Sequence, residues 1–163
     1  MGFLKAIIDQ TFGARRIARQ LCQDDGFVER IGLNALPTSQ RIKQLHPRAG
    51  FVLSFYGSAE ACFKAYPELP ADERLLLVFK RQLHGLSHIP DAHKHAVTVM
   101  TKFQSSQFWN ALDISSRFET VCAQALAEVE MNLRGIPAEE ALKSDVINEI
   151  VEGVFQYKEF ELQ

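Results

Sequence analysis

The chain has 163 residues, of which 47% are hydrophobic and 23% are charged, and this balance is typical of one globular domain with its own core. It argues against a disordered or fibrous chain. Eighteen basic residues against 20 acidic ones give a formal charge of −2, so no overall positive field is available to gather phosphates and nucleic acid is not an expected partner. No apolar run of roughly 18 residues is present, so no transmembrane helix is expected.

The first segment predicts an amphipathic helix over residues 2–24. Apolar residues recur from Phe3 to Leu21 at three- and four-residue spacing, and Asp25-Gly26 is expected to end the helix. The segment also carries basic residues, which with an apolar stripe favour peripheral membrane contact through residues 2–22. These are Lys5, Arg15, Arg16 and Arg19. The preferred interpretation is docking on the protein's own core, because every other predicted helix has the same amphipathic design.

The cysteines and the amino terminus predict a cytoplasmic protein. Cys22, Cys62 and Cys122 are odd in number and widely spaced, which favours buried thiols in a reducing compartment over a disulfide framework. Lys5 and Asp9 interrupt the apolar start, so a secretory signal is disfavoured.

The middle of the chain continues the helical pattern. After a connector from Phe27 to Leu36, Thr38 or Ser39 is expected to cap a brief helix that Pro47 closes. The next helix, from Phe51 to Tyr66, carries an aromatic-rich stripe. Its members are Val52, Phe55, Tyr56, Ala59, Cys62, Phe63 and Tyr66.

The following helix contains LLLVF at residues 75–79. Five apolar residues in succession cover more than half of a helical circumference, so this helix is predicted to be the buried central element. Further helices are predicted beyond Asp91, around residues 118–133, and over residues 138–155. No strand pattern and no internal repeat appear. The sequence therefore predicts an all-α protein, a single compact domain over residues 1–163 with about six helices, packed as a bundle or as a globin-like orthogonal stack.

The stretch HGLSHIPDAHKH, residues 84–95, holds four of the five histidines. His84 and His88 are four apart, the spacing that places two imidazoles on one helix face for a metal. Gly85 and Pro90 interrupt that helix, so a polar corner between helices is the preferred interpretation. Ligation of a transition metal or haem and pH sensing are the alternatives. The candidate metal ligands are His84, His88, His93, His95 and Asp91.

Haem ligation is an alternative because an all-α chain of this length can form a globin-like pocket. FYGSAEACFKAYPEL, residues 55–69, faintly resembles the tyrosine and proline region of bacterial globins. That resemblance implies a haem sensor in which His93 or His95 supplies the proximal ligand. Its motifs do not assign the family, so the haem-binding or metal-binding sensor stays an alternative.

Catalysis has no recognisable signature in the chain. G-x-S-x-G, the P-loop, G-x-G-x-x-G, H-E-x-x-H and C-x-x-C are all missing, and no catalytic residue is predicted. The leading hypothesis is a non-catalytic helical module, interacting or regulatory, that binds another protein or a second copy of itself through a helix face.

Overall fold

A computed structural model describes residues 13–84, 91–134 and 143–157 of the chain. Every regular element within these ranges is helical, which confirms the predicted all-α class. In chain order they are α1 (residues 13–22), α2 (Asp25–Arg30), α3 (Thr38–Ala65), α4 (Ala71–His84), α5 (Ala92–Gln104), a 3-10 turn (Trp109–Ala111), α6 (Ile114–Arg134) and α7 (Ser144–Tyr157).

The contacts divide the chain into two compact units. One comprises residues 1–54 and 143–159, and the other comprises residues 55–142 and 160–163. The long helix α3 contributes its first part to one unit and its last part to the other. That the chain forms a single domain therefore stays a prediction.

In the first unit, the prediction of a connector from Phe27 to Leu36 is wrong at its start, because these first residues belong to α2. The Asp24 carboxylate accepts a hydrogen bond of 3.0 Å from the backbone N–H of Phe27, so it caps a new helix where Gly26 was expected to end the previous one. Phe27 and Val28 are buried, which gives this short helix an apolar face. Among the glycines that the structure describes, it is Gly32 that adopts a left-handed conformation, with φ of 77°, because the chain turns after α2 rather than before it.

Pro47 does not close a brief helix, as the sequence suggested, but lies inside α3. Proline removes one intrahelical hydrogen bond and crowds the preceding turn. The apolar face nevertheless continues across it, since Leu45, Ala49 and Val52 are all buried and follow one another at four- and three-residue spacing. Their burial offsets the local cost, and the helix continues to Ala65.

α2 packs against α7 at a glycine. A Cβ atom on Gly153 would lie 3.0 Å from Leu21 Cδ2 and 3.1 Å from Phe27 Cε2, so the close approach of the two helices depends on the missing side chain. Beside it, Arg30 Nε donates to the Glu149 carboxylate at 3.0 Å. This exposed pair adds little stability, and the apolar contact at Gly153 dominates.

Two glycine substitutions are expected to change stability in opposite directions. Gly153→Val should lower the free energy of unfolding by about 2 kcal/mol, because its side chain overfills a packed site. Gly57→Ala should raise it by about 0.5–1 kcal/mol, because a Cβ on this helical glycine meets nothing within 4 Å and alanine is the better helix former. Urea unfolding followed by far-UV circular dichroism measures both. Equal effects would contradict the packing described for α7.

The core of the second unit forms around Phe118 of α6. Its ring centroid lies 5.2 Å from those of both Phe55 and Tyr56 of α3, within the range of favourable aromatic contacts. Burial raises the pKa of the Tyr56 hydroxyl far above its ordinary value, and the neighbouring Cys122 and Glu119 add to the rise. Cys22, Cys62 and Cys122 are buried free thiols, as predicted.

The apolar run at residues 75–79 is only partly interior. Leu75, Val78 and Phe79 are buried, which agrees with the predicted central role of this helix, whereas Leu76 and Leu77 are half-buried. Five successive apolar residues point in too many directions for one core face to cover. One flank of α4 is therefore apolar and partly open.

Asp72 and the three side chains that donate to it form a polar joint at the start of α4. The Asp72 carboxylate accepts hydrogen bonds from Arg117 of α6 at 3.1 Å, from the Trp109 indole at 3.1 Å and from Gln104 of α5 at 3.3 Å. Arg117 also donates to the Trp109 carbonyl at 3.2 Å, and the Trp109 ring stacks on Phe103 with centroids 5.4 Å apart. The helix dipole already favours an acidic residue such as Asp72 in the first turn of α4. The structure adds three donors from other elements.

We expect Asp72→Ala to destabilise the protein by about 2–4 kcal/mol, because it leaves a partly buried guanidinium and an indole N–H without their acceptor. Glu73→Ala is the matched control, since Glu73 is the exposed neighbour and should change stability by less than about 0.5 kcal/mol. Trp109 is the only tryptophan, so its fluorescence during urea unfolding reports directly on this joint. An Asp72→Ala protein as stable as the control would show that the joint is dispensable.

Candidate functional site

The structure describes only some of the predicted metal ligands of the histidine segment. His84 is the last residue of α4, but its side chain lies outside the described residues, as does the whole of His88. His93 is exposed on α5. Asp91 adopts a left-handed φ of 52° and makes no side-chain capping bond. Its carboxylate instead lies 3.4 Å from Lys94 Nζ.

The His95 side chain is bound to another side chain of the same protein. Its Nε2 lies 2.8 Å from Oε1 of Glu128 on α6, and the side chain of Glu128 is 9% exposed. Gln124 donates to the same oxygen at 3.2 Å. A buried carboxylate needs such donors, so His95 joins α5 to α6 by satisfying Glu128. The sequence carried a signal for this, because Glu128 follows the apolar Ala125 by three positions and so lies on the same face of the predicted helix.

No group of three or more His, Cys, Asp or Glu side chains in the described ranges could hold a metal ion. The arrangement of His84 and His88 is not covered by that observation. Metal or haem ligation by the segment therefore stays a prediction, as does pH sensing.

Replacing His95 tests its structural role. His95→Ala should lower the free energy of unfolding by about 1 kcal/mol, because Glu128 loses a donor, while the 38% exposure of the His95 side chain lets water replace part of it. His93→Ala removes an exposed histidine two residues away and should have almost no effect. Urea unfolding at neutral pH compares the two, and equal losses would contradict the assignment.

The second unit carries a groove between the end of α3 and α4, with a volume of about 340 Å³. Its floor and walls are mostly apolar, and its rim is basic. The lining residues are Ser58, Cys62 and Tyr66 on one side and Leu77, Val78, Lys80 and Arg81 on the other. The volume is near the lower end of the range for small-molecule sites and suits one or two large apolar side chains.

The two walls of the groove are antiparallel helices. Gln82 donates to the Ser58 hydroxyl at 3.0 Å, and the Cys62 thiol lies 3.7 Å from the Arg74 carbonyl, so rising numbers on α3 meet falling numbers on α4. Tyr66 follows α3 directly and is 43% exposed. It therefore stands at one end of the groove, and Ser58 and Gln82 stand at the other.

The chemistry of the groove favours binding over nucleophilic attack. Burial raises the pKa of the Cys62 thiol, and the positive charges of Arg81 and Arg74 only partly oppose that rise. A reactive cysteine needs the opposite shift. The Ser58 hydroxyl has an amide as its partner rather than a base.

Sequence reasoning missed this groove because it assigned Cys62 and Tyr66 to one buried stripe. Cys62 is buried, but Tyr66 lies just beyond the helix end and is exposed. A signal was present in α4. Its apolar run is too wide for one core face, and Lys80 and Arg81 follow it directly.

The predicted membrane contact concerns a helix that is described only from residue 13. In that part the apolar side chains of Ala14, Ile17, Ala18 and Leu21 are buried, while Arg15 and other polar residues are exposed. Residues 2–12 lie outside the described residues, so membrane contact through residues 2–22 stays a prediction. Over the ranges that the structure describes, no helix has the length and apolar character needed to cross a bilayer.

Comparison with known proteins reveals no relative: no family model, no curated protein and no solved structure matches this chain.

Proposed function

We propose that the chain is a non-catalytic interaction module that binds a helix of a partner protein in the groove between α3 and α4. The observation that carries the proposal is an apolar groove left open on a helical surface, with the exposed Tyr66 ring at one end. Grooves of this kind accept apolar side chains that recur every three or four residues on a bound helix. Tyrosine is among the residues that contribute most to such interfaces.

The surface beside the groove supports a helical occupant. Ala61 and Ala65 of α3 are exposed and neighbour Ser58 and Cys62 on the helix surface, because residues three or four apart adjoin each other. Their small side chains let the backbone of a second helix approach closely. The half-buried Leu77 offers apolar contact from the opposite wall.

A cytoplasmic location is part of this proposal. It is supported by the three buried free thiols, which suit a reducing compartment.

Selection from a displayed library of amphipathic helical peptides, using the full chain as bait, tests the function. We expect enrichment of peptides whose apolar residues form one stripe. Tyr66→Ala should weaken their binding about tenfold, the effect of losing an aromatic anchor. Tyr157→Ala is the matched control, because Tyr157 of α7 is also partly exposed, at 39%, and does not line the groove.

Two outcomes would contradict the proposal. One is the absence of any peptide whose binding depends on Tyr66. The other is saturable binding of decanoate that Tyr66→Ala abolishes while no peptide is enriched, since the groove would then be a site for a small amphipathic molecule.

A further inference from the structure

The rim of the groove carries two cations, Lys80 and Arg81. Within the described parts of the chain, neither Lys80 nor Arg81 forms a salt bridge. Other cations of the same unit are engaged: Arg117 with Asp72, and Arg74 with the Leu69 carbonyl at 2.9 Å and with the Phe63 ring at 4.5 Å. Lys80 and Arg81 are therefore available to a ligand.

The positive charge reaches into the groove. Arg81 lies close enough to Cys62 to lower the pKa of its thiol against the larger effect of burial. The positive charge of Arg81 would also stabilise a ligand carboxylate bound beside Cys62, and it would repel a ligand cation bound there.

The positive and apolar parts of the groove are ordered along α4. Leu77 precedes Arg81 by four residues, which is about one helical turn or 6 Å along the axis. On the facing wall, Tyr66 stands at the end away from Ser58 and Gln82. A bound partner must therefore place complementary groups at the apolar end and at the basic end of the groove, about one helical turn apart.

We propose, building on the function above, that the partner is an acidic amphipathic helix. It inserts an apolar side chain between Tyr66 and Leu77, and it carries an aspartate or glutamate one turn away that pairs with Arg81 and Lys80. An arginine can hold a carboxylate through two parallel hydrogen bonds, and opposite charges at the edge of an apolar contact fix the register and orientation of a bound helix.

The experiment is a selection in which charge is the variable. A library of helical peptides with a fixed apolar stripe has its flanking positions drawn equally from Glu, Gln and Lys, and the full chain is the bait. Wild type should enrich Glu over Lys one turn from an apolar residue. Affinity for the enriched peptides should fall as sodium chloride is raised, because rim charges are screened by salt.

Charge reversal provides the decisive comparison. The double variant Lys80→Glu, Arg81→Glu should bind the Glu-rich peptides about tenfold or more weakly and should select Lys at the same positions. The control, Arg19→Glu with Lys102→Glu, makes the same change in net charge at exposed sites outside the groove and should behave as wild type. Arg81→Gln, which adds no repulsion, should give a smaller loss in the same direction.

The outcomes separate the two proposals. Peptides that depend on Tyr66 but show no preference for Glu, or keep that preference in the double variant, would overturn the acidic partner and leave the binding function standing. A library that yields no Tyr66-dependent peptide would overturn both.

Discussion

The Asp72 carboxylate is the joint on which the second unit depends. It lies in the first turn of α4 and accepts hydrogen bonds from side chains of α5, the 3-10 turn and α6. A partly buried carboxylate would be costly alone, but three donors, one of them charged, stabilise it in one position. The orientation of α4 follows from this joint at its start and from the burial of Leu75, Val78 and Phe79 along its length. The shape of the groove depends on that orientation, because α4 forms one of its two walls.

Two polar pairs in the second unit illustrate how a structural role differs from a binding role. His95 satisfies the buried Glu128, so its imidazole already has an internal partner. Arg81 stands at the edge of an apolar groove and forms no ion pair in the described parts of the chain. Residues whose polar groups are satisfied within the fold stabilise it, and residues whose charges remain open beside apolar surface are suited to a partner.

The sequence predicted the helical class well because apolar spacing is a local property. In α6 and α7, apolar residues at three- and four-residue spacing form buried faces, with Phe118, Cys122 and Ala125 in one and Ile147, Ile150 and Val154 in the other. Helix boundaries were predicted less well. Pro47 and Gly26 both carry local signals for the end of a helix. Burial of Leu45 and Ala49 nevertheless continues α3 past Pro47, and the Asp24 cap places Gly26 inside a new helix.

The candidate site was hardly predictable, because it depends on contacts between elements. The histidine segment attracted attention through its composition, whereas the groove arises where residues 58–66 meet residues 77–81 in space. Nothing in the sequence alone tells whether the wide apolar run of α4 is covered on every side. The most informative local clue was its direct continuation into Lys80 and Arg81.

The central claim is that this groove, rather than the histidine segment, holds the partner. Nuclear magnetic resonance of the isotope-labelled full chain tests it most directly, by following amide and methyl signals as an acidic amphipathic helical peptide is added. The account predicts saturable shifts centred on Cys62, Tyr66, Leu77 and Arg81. Shifts confined to His93, His95 and the rest of α5, or no shifts at all, would contradict it.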